Sequence, residues 1–256
     1  MIRRDLPMAP PAVDPVTHAF FLDFDGTLVD IADHPEEVVL SPAMAAVLTR
    51  LSPAADGALA IVTGREITAI DRFMAPLHLP VAGVHGLERR GPQGVTSELP
   101  SRAASLDPIA TRLEAFASAR PGVLVERKRN AIALHYRQAP QFADDCRQIM
   151  LASFPPDGGF ALVEGKCVYE LRCDTHDKGG AIAAFLEEAP FAGRTPVFAG
   201  DDVTDEDGFT IVNRRHGISI KVGAGDTVAR YRLDGPGQLA TWLEDVVSLA
   251  PAGDTP

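Results

Sequence analysis

The stretch Ala19-Phe20-Phe21-Leu22-Asp23-Phe24-Asp25-Gly26-Thr27-Leu28 decides how the chain is read. Its four leading apolar residues predict a short buried strand. The strand stops at two carboxylates one residue apart, with Gly26 to bend the chain and the Thr27 hydroxyl just beyond. In open α/β sheets ligands bind beyond the carboxyl ends of the strands, so an acidic pair at such a tip faces a crevice. An isolated Asp-Gly is also ordinary turn chemistry. Three further polar stations downstream favour the crevice.

Outward from that strand the pattern alternates. Ser41-Pro42 opens a helix with Met44, Val47, Leu48 and Leu51 at helical spacing. Ala58 to Val62 predicts a second buried strand, ended by Thr63-Gly64-Arg65 and followed by a helix-like run from Ile70 to Met74. A β-α-β-α rhythm implies a parallel sheet. Val81 to Glu98, with glycines at 83, 86, 91 and 94, reads as short strands and tight turns closing one edge. Residues before His18 carry Pro7, Pro10, Pro11 and Pro15 and read as a flexible arm over 1–17.

The pattern changes at Asp107-Pro108, a cap-and-proline start for a helix through Leu113 and Phe116. Val123 to Lys128 and Ala131 to Arg137 predict an antiparallel hairpin joined at Arg129-Asn130. Alternation puts Ile132, Leu134 and Tyr136 on one face and Ala133, His135 and Arg137 on the other, with Glu126 and Lys128 sharing a side. A helix from Pro140 to about Phe154 follows. Lys166 to Arg172 then repeats the strand device, with Cys167, Tyr169 and Leu171 facing one way and Lys166, Glu170 and Arg172 the other. The block is α-β-β-α-β-β, and its open face mixes both charge signs with a histidine, as a charged polyhydroxylated ligand needs. A solvated antiparallel face is the plainer reading.

From Asp174-Thr175, expected to cap the next helix, the parallel rhythm resumes. Lys178 falls in that helix's first turns, an unusual place for a cation unless an anion also sits there. Pro196 to Gly200 predicts a strand ending in Asp201-Asp202-Val203-Thr204-Asp205-Glu206, where four carboxylates follow one another too densely to be packing. Ile218 to Val222 gives one more strand. The closing helix carries Leu239, Trp242, Leu243, Val246 and Val247 at core spacing, and Trp242 reads as packing.

A parallel sheet brings Asp23 and Asp25, Thr63, Lys178 and Asp201 to one rim. Crowded carboxylates take up protons unless a cation intervenes. A hard divalent ion with oxygen ligands, most simply Mg²⁺, resolves this. An ion, an ammonium and a hydroxyl around a carboxylate suit phosphoryl transfer.

Composition bounds the partners. The chain has 256 residues, 46% hydrophobic and 23% charged, as expected of ordinary globular material. A net charge of −11 argues against nucleic acid, which selects a basic face. Cys146, Cys167 and Cys173 form no C-x-x-C and suggest neither a disulfide framework nor a zinc site. The basic Met1 to Arg4 is followed by Asp5 and Pro7 where a signal peptide needs an apolar run, and no stretch is apolar enough to span a bilayer. A soluble, cytoplasmic protein is expected.

These motifs resemble the haloacid dehalogenase-like (HAD) phosphohydrolases, marked by Asp23-Phe24-Asp25-Gly26-Thr27-Leu28, Thr63, Lys178 and Gly200-Asp201-Asp202 in that order. Within them the chain is closely similar to the trehalose-6-phosphate phosphatases. That narrower resemblance rests on Thr63-Gly64-Arg65, Gly83 to Glu88, Glu126-Arg127-Lys128, Ala133 to Arg137, Glu164-Gly165-Lys166 and Gly200 to Glu206. It implies a Rossmann-like parallel-sheet α/β core over 18–104 and 174–256 with an inserted smaller α+β cap over 105–173. It also implies Mg²⁺-dependent hydrolysis of trehalose 6-phosphate through an aspartyl-phosphate. Asp23 is then the nucleophile and a metal ligand, and Asp25 the acid and base with its main-chain carbonyl on the metal. Asp201 completes the ligands, with Asp202 and Asp205 beside them. Thr63 and Lys178 grip the phosphoryl oxygens, and Thr27 supports the turn. Substrate contacts are expected from Arg65, Glu126, Lys128 and Glu170, and more weakly from His85, Lys166, His135 and Arg137. Cys173 stands where many relatives have proline, at a hinge between cap and core. Two other readings are a phosphatase for a different sugar phosphate, of the sucrose-phosphate type, and a non-catalytic binding protein on the same fold.

Overall fold

In a computed structural model describing residues 9–32, 34, 36–94, 96–98, 103–127, 131–154, 160–165, 167–173 and 177–250, the apolar run becomes β1 (His18–Leu22). It is followed by α1 (Pro42–Ala54), β2 (Leu59–Val62), α2 (Ile67–Met74), β3 (Val81–Gly83), β4 (Glu88–Arg90) and β5 (Thr96–Glu98). Next come α3 (Ala103–Ser118), β6 (Leu124–Arg127), β7 (Ala131–His135), α4 (Ala143–Ala152), β8 (Phe160–Gly165) and β9 (Val168–Cys173). The chain closes with α5 (Lys178–Phe185), β10 (Thr195–Gly200), α6 (Glu206–Arg214), β11 (Ile218–Val222), β12 (Tyr231–Leu233) and α7 (Pro236–Ser248). Two compact units result, Met1–Glu98 with Asp177–Pro256, and Leu99–His176.

The larger unit is built on one sheet in the order β12-β11-β10-β1-β2-β3-β4-β5. From β12 to β3 all neighbours are parallel, and β4 and β5 close the edge antiparallel, as the glycine-rich stretch predicts. β1 lies between β2 and β10, so the strand order runs outward from it in both directions. That reversal opens a crevice at the carboxyl ends of β1, β2 and β10. β1 reads as unbroken apolar residues because helices cover both faces of such a sheet. Phe21 meets Phe185 of α5 and Phe191 at centroid distances of 6.0 and 5.4 Å. α1 packs on α7, and α5 on α6.

The smaller unit is an antiparallel sheet in the order β6-β7-β9-β8. Ile132, Leu134, Tyr169 and Leu171 pack with Leu113 of α3 and Met150 of α4 in one cluster. The register then sets Glu126 opposite Ala133, Ala133 opposite Glu170 and Glu170 opposite Val163. Directly opposed residues share a face, so Glu126 and Glu170 flank Ala133 on the side away from the helices.

Three local expectations are corrected. The described part of the N-terminal arm is held down: Val13 and Pro15 are buried, the Trp242 indole donates to the Pro11 carbonyl at 3.2 Å, and Arg194 donates to the Pro15 carbonyl at 3.3 Å. Proline lacks a donor, but its carbonyl still accepts. α3 begins at Ala103, with Pro108 inside it. A proline so near a helix start forfeits one early backbone bond, and good helix formers before Asp107 extend the helix backwards. α5 is capped by Asp177, whose carboxylate accepts from the Gly180 amide at 2.6 Å. Asp174 and Thr175, expected to cap it, lie outside the described residues.

Candidate active site

The strand tips supply the site. Asp23 follows β1 directly, is 3% exposed, and is tied to β10 by its amide, which donates to the Ala199 carbonyl at 3.0 Å. The Thr27 hydroxyl donates to Asp23 Oδ2 at 3.3 Å, so the expected turn-supporting residue also touches the carboxylate. Gly26 has φ +74°, and a Cβ there would lie 2.1 Å from Asp201 Oδ2. Only glycine lets the β1 turn and the Asp201 carboxylate approach this closely.

Lys178 opens α5, 3% exposed. Its Nζ donates to Asp23 Oδ1 and to Asp205 Oδ1, both at 2.7 Å. Asp205 is fully buried, and its other oxygen accepts from the Asp202 amide at 2.9 Å in a reciprocal capping box. A Cβ on Gly200 would lie 2.3 Å from Asp205 Cγ, so the strand end must be glycine for that carboxylate to fold back. Carboxylate oxygens of Asp23, Asp201 and Asp205 lie within 4.8 Å of one another. Asp205 is thus more central than the sequence suggested. The capping-box spacing from Asp202 to Asp205 is the signal that could have located it.

The electrostatics follow from burial. Desolvation pushes Asp23 up to about 7, and nearby Asp205 adds to the shift against the opposing pull of Lys178. Burial likewise lifts Asp201 to about 6, with Asp205 and Asp202 adding to it. For Lys178 burial acts to lower the value, but Asp23 and Asp205 outweigh it and hold the ammonium charged. Three hard oxygen donors that resist sharing their negative charge fit a divalent cation.

Asp25 is engaged elsewhere. Its two oxygens accept from Arg65 Nη2 and Nε in a fork at 2.6 Å each. The guanidinium lies over the rings of Phe24 and Phe73, 5.6 and 4.9 Å from their centroids. Thr63, fully buried, accepts from the Arg65 amide at 3.2 Å through its hydroxyl. His85 sits over the same loop: its amide donates to the Thr63 carbonyl at 2.9 Å, and its ring would meet a Cβ on Gly64 at 2.8 Å. Glu88 accepts from the Ile67 amide at 3.1 Å and so finishes the start of α2.

The remaining predicted residues belong to the smaller unit. Glu126 and Glu170 share its open face, and His135 Nε2 lies 2.8 Å from Glu126 Oε2. Arg137 is exposed. Lys128 and Lys166 lie outside the described residues, as does the Cys173 side chain. Among the described residues no helix is long and apolar enough to cross a membrane.

Residues 21–236 match the family model described as Trehalose-phosphatase. The chain is 44% identical over 231 residues to the trehalose-6-phosphate phosphatase of Escherichia coli (strain K12), which spans 90% of this chain and 87% of that protein. The solved trehalose-6-phosphate phosphatase of Aspergillus fumigatus, crystal form 3, superposes with a TM-score of 0.78 at 25% identity, covering 94% of this chain and 99% of that one. A haloacid dehalogenase-like hydrolase from B. subtilis, 12% identical, shares the fold with a TM-score of 0.61 over 90% of this chain and 98% of its own.

Proposed function

This chain belongs to the trehalose-phosphatase family, and on that premise we propose that it is a phosphoric monoester hydrolase converting trehalose 6-phosphate to trehalose and phosphate in trehalose biosynthesis. The observation that carries the chemistry is the Asp23, Asp201 and Asp205 triad with Lys178 bridging two of its members.

In this reading an Asp23 oxygen attacks phosphorus, and the bond from phosphorus to the sugar oxygen breaks. Asp25 gives its proton to the departing oxygen. It then takes one from the water that attacks the aspartyl-phosphate, which releases phosphate and restores Asp23. Mg²⁺, held by the Asp23 and Asp201 carboxylates and the Asp25 carbonyl, would supply positive charge to the phosphoryl oxygens. Lys178 adds its charge there. The Thr63 hydroxyl accepts from the Arg65 amide and so keeps its own proton for a phosphoryl oxygen. Glu126, Lys128 and Glu170 contact the sugar, with Arg65, His85 and Lys166 as further substrate contacts. We take the protein to act as a cytoplasmic monomer, which fractionation and light scattering test.

The test is phosphate release from a panel of sugar phosphates with and without Mg²⁺. Trehalose 6-phosphate is expected to be hydrolysed best, and a chelator to abolish release. Preference for another sugar phosphate would overturn the substrate, and no release from any would overturn the enzyme.

Two further outcomes are expected. Glu126→Ala and Glu170→Ala should each lower kcat/KM for trehalose 6-phosphate by roughly 10²-fold, since a hydrogen bond from substrate to a charged group is worth about 1.5–3 kcal/mol, while a small aryl phosphate loses less than threefold. Equal loss on both substrates would remove these residues from the sugar site. The second concerns pH. A carboxylate whose folded pKa is raised, such as Asp23 at about 7 or Asp201 at about 6, contributes stability that is complete below about pH 4 and lost as pH rises through 6 to 7. Mg²⁺ held by the Asp23 and Asp201 carboxylates would remove that penalty. At 100 times its dissociation constant it should add about 2.7 kcal/mol at pH 8, on the order of 5–10 °C in Tm, and much less at pH 5.5. Equal gains at both pH values in differential scanning fluorimetry would count against Mg²⁺ at these carboxylates.

A further inference from the structure

Of the 24 basic side chains, four are lysine, at 128, 166, 178 and 221, and the rest are arginine. Lysine at 128, 166 and 178 has a role in the reading above. Lys221 has none. It lies in β11, 4% exposed, in a strand whose other residues are also buried, where an aliphatic side chain is the ordinary occupant. Burying an ammonium there costs desolvation that only a specific partner offsets. Its register partner is Gly200, the residue before Asp201. Lys221 Nζ donates to the Asp201 main-chain carbonyl, while the Asp201 carboxylate fills the space left by Gly26.

We propose that Lys221 is a positioning residue that clamps the Asp201 backbone and thereby fixes the geometry of the cation site that Asp201 forms with Asp23 and the Asp25 carbonyl. The inference rests on the divalent-cation reading. Lysine suits the task because its compact ammonium aims at one carbonyl, whereas the broad planar fork of arginine does not fit the same point contact. The clamp acts on geometry, so it is read best by comparing two ions. Mg²⁺ demands a near-octahedral frame of short bonds, while Ca²⁺ tolerates a looser one. The charge of Lys221 repels both ions alike, so that contribution cancels in the ratio of their affinities.

The test is calorimetric titration of the full chain with MgCl₂ and with CaCl₂. In Lys221→Met the preference for Mg²⁺ over Ca²⁺ is expected to fall at least roughly fivefold relative to wild type, in line with residues that orient metal ligands. Lys221→Arg, which keeps the charge, should shift it the same way. A ratio within twofold of wild type in folded Lys221→Met overturns the proposal. If that variant does not fold, Lys221→Arg is judged by the same criterion. A variant that melts like wild type without ions yet binds neither ion supports the clamp. Wild-type protein that binds neither ion overturns the cation reading itself, an outcome distinct from an unchanged ratio.

Discussion

Asp23→Asn is expected to lower turnover of trehalose 6-phosphate by about 10⁴-fold or more, equivalent to about 5 kcal/mol of barrier. The amide has the shape of the carboxylate but lacks its charge and cannot form an acyl phosphate. The fold should persist. Burial and the nearby Asp205 already oppose the ionisation of Asp23, and Lys178 keeps Asp205 as a partner at 2.7 Å. Melting within a few degrees of wild type is therefore expected alongside the loss of activity. Acid-quenched wild-type reactions should carry a phosphoryl group on Asp23, detectable by mass spectrometry, and the variant should carry none. Turnover within tenfold of wild type would take the nucleophile role from this residue.

Lys178→Met should cost roughly 10³-fold in turnover, because the ammonium opposes the charge that develops on the phosphoryl oxygens. Its effect on stability is separable. Removing the bridge leaves Asp23 and Asp205 buried without their shared cation, and breaking a buried pair from one side costs about 3–5 kcal/mol. Without the ammonium, which opposes the upward shift of Asp23, that carboxylate holds its proton more tightly in the folded state, so stability is lost as pH rises. The deficit in Tm against wild type should accordingly be larger at pH 8 than at pH 5, and Mg²⁺ should recover part of it. A variant with wild-type Tm at pH 8 and undiminished turnover would show that Lys178 serves neither purpose.

What the sequence disclosed, and what it withheld, follows from the range of the forces involved. The run Phe20-Phe21-Leu22 announces a strand buried on both faces, and its tip residues lead to the crevice. Alternation in β7 and β9 gave the two faces of the smaller sheet, and the register agrees. Caps were less legible. Asp107-Pro108 and Asp174-Thr175 have the composition of helix starts, yet α3 starts earlier and α5 is capped by Asp177, because several polar residues near a boundary can cap equally well. The docking of Pro11 and Pro15 depends on Trp242 and Arg194, partners too remote in sequence to infer. The same holds for the Asp25 to Arg65 fork and for Lys178 reaching Asp205. Motif spacing marked these residues without indicating which would hold which.

The placement of β1 between an early neighbour and a late one governs how the enzyme comes into being on the ribosome. When residues 18–98 have emerged, β1 can pair with β2, but its other edge stays open until β10 is translated. The intervening unit is one continuous stretch whose described strands pair with one another, so it can complete itself while the larger sheet waits. Asp23 is therefore made early and armed late. It gains Lys178, Asp201 and Asp205 only once the second stretch of the larger unit has been made.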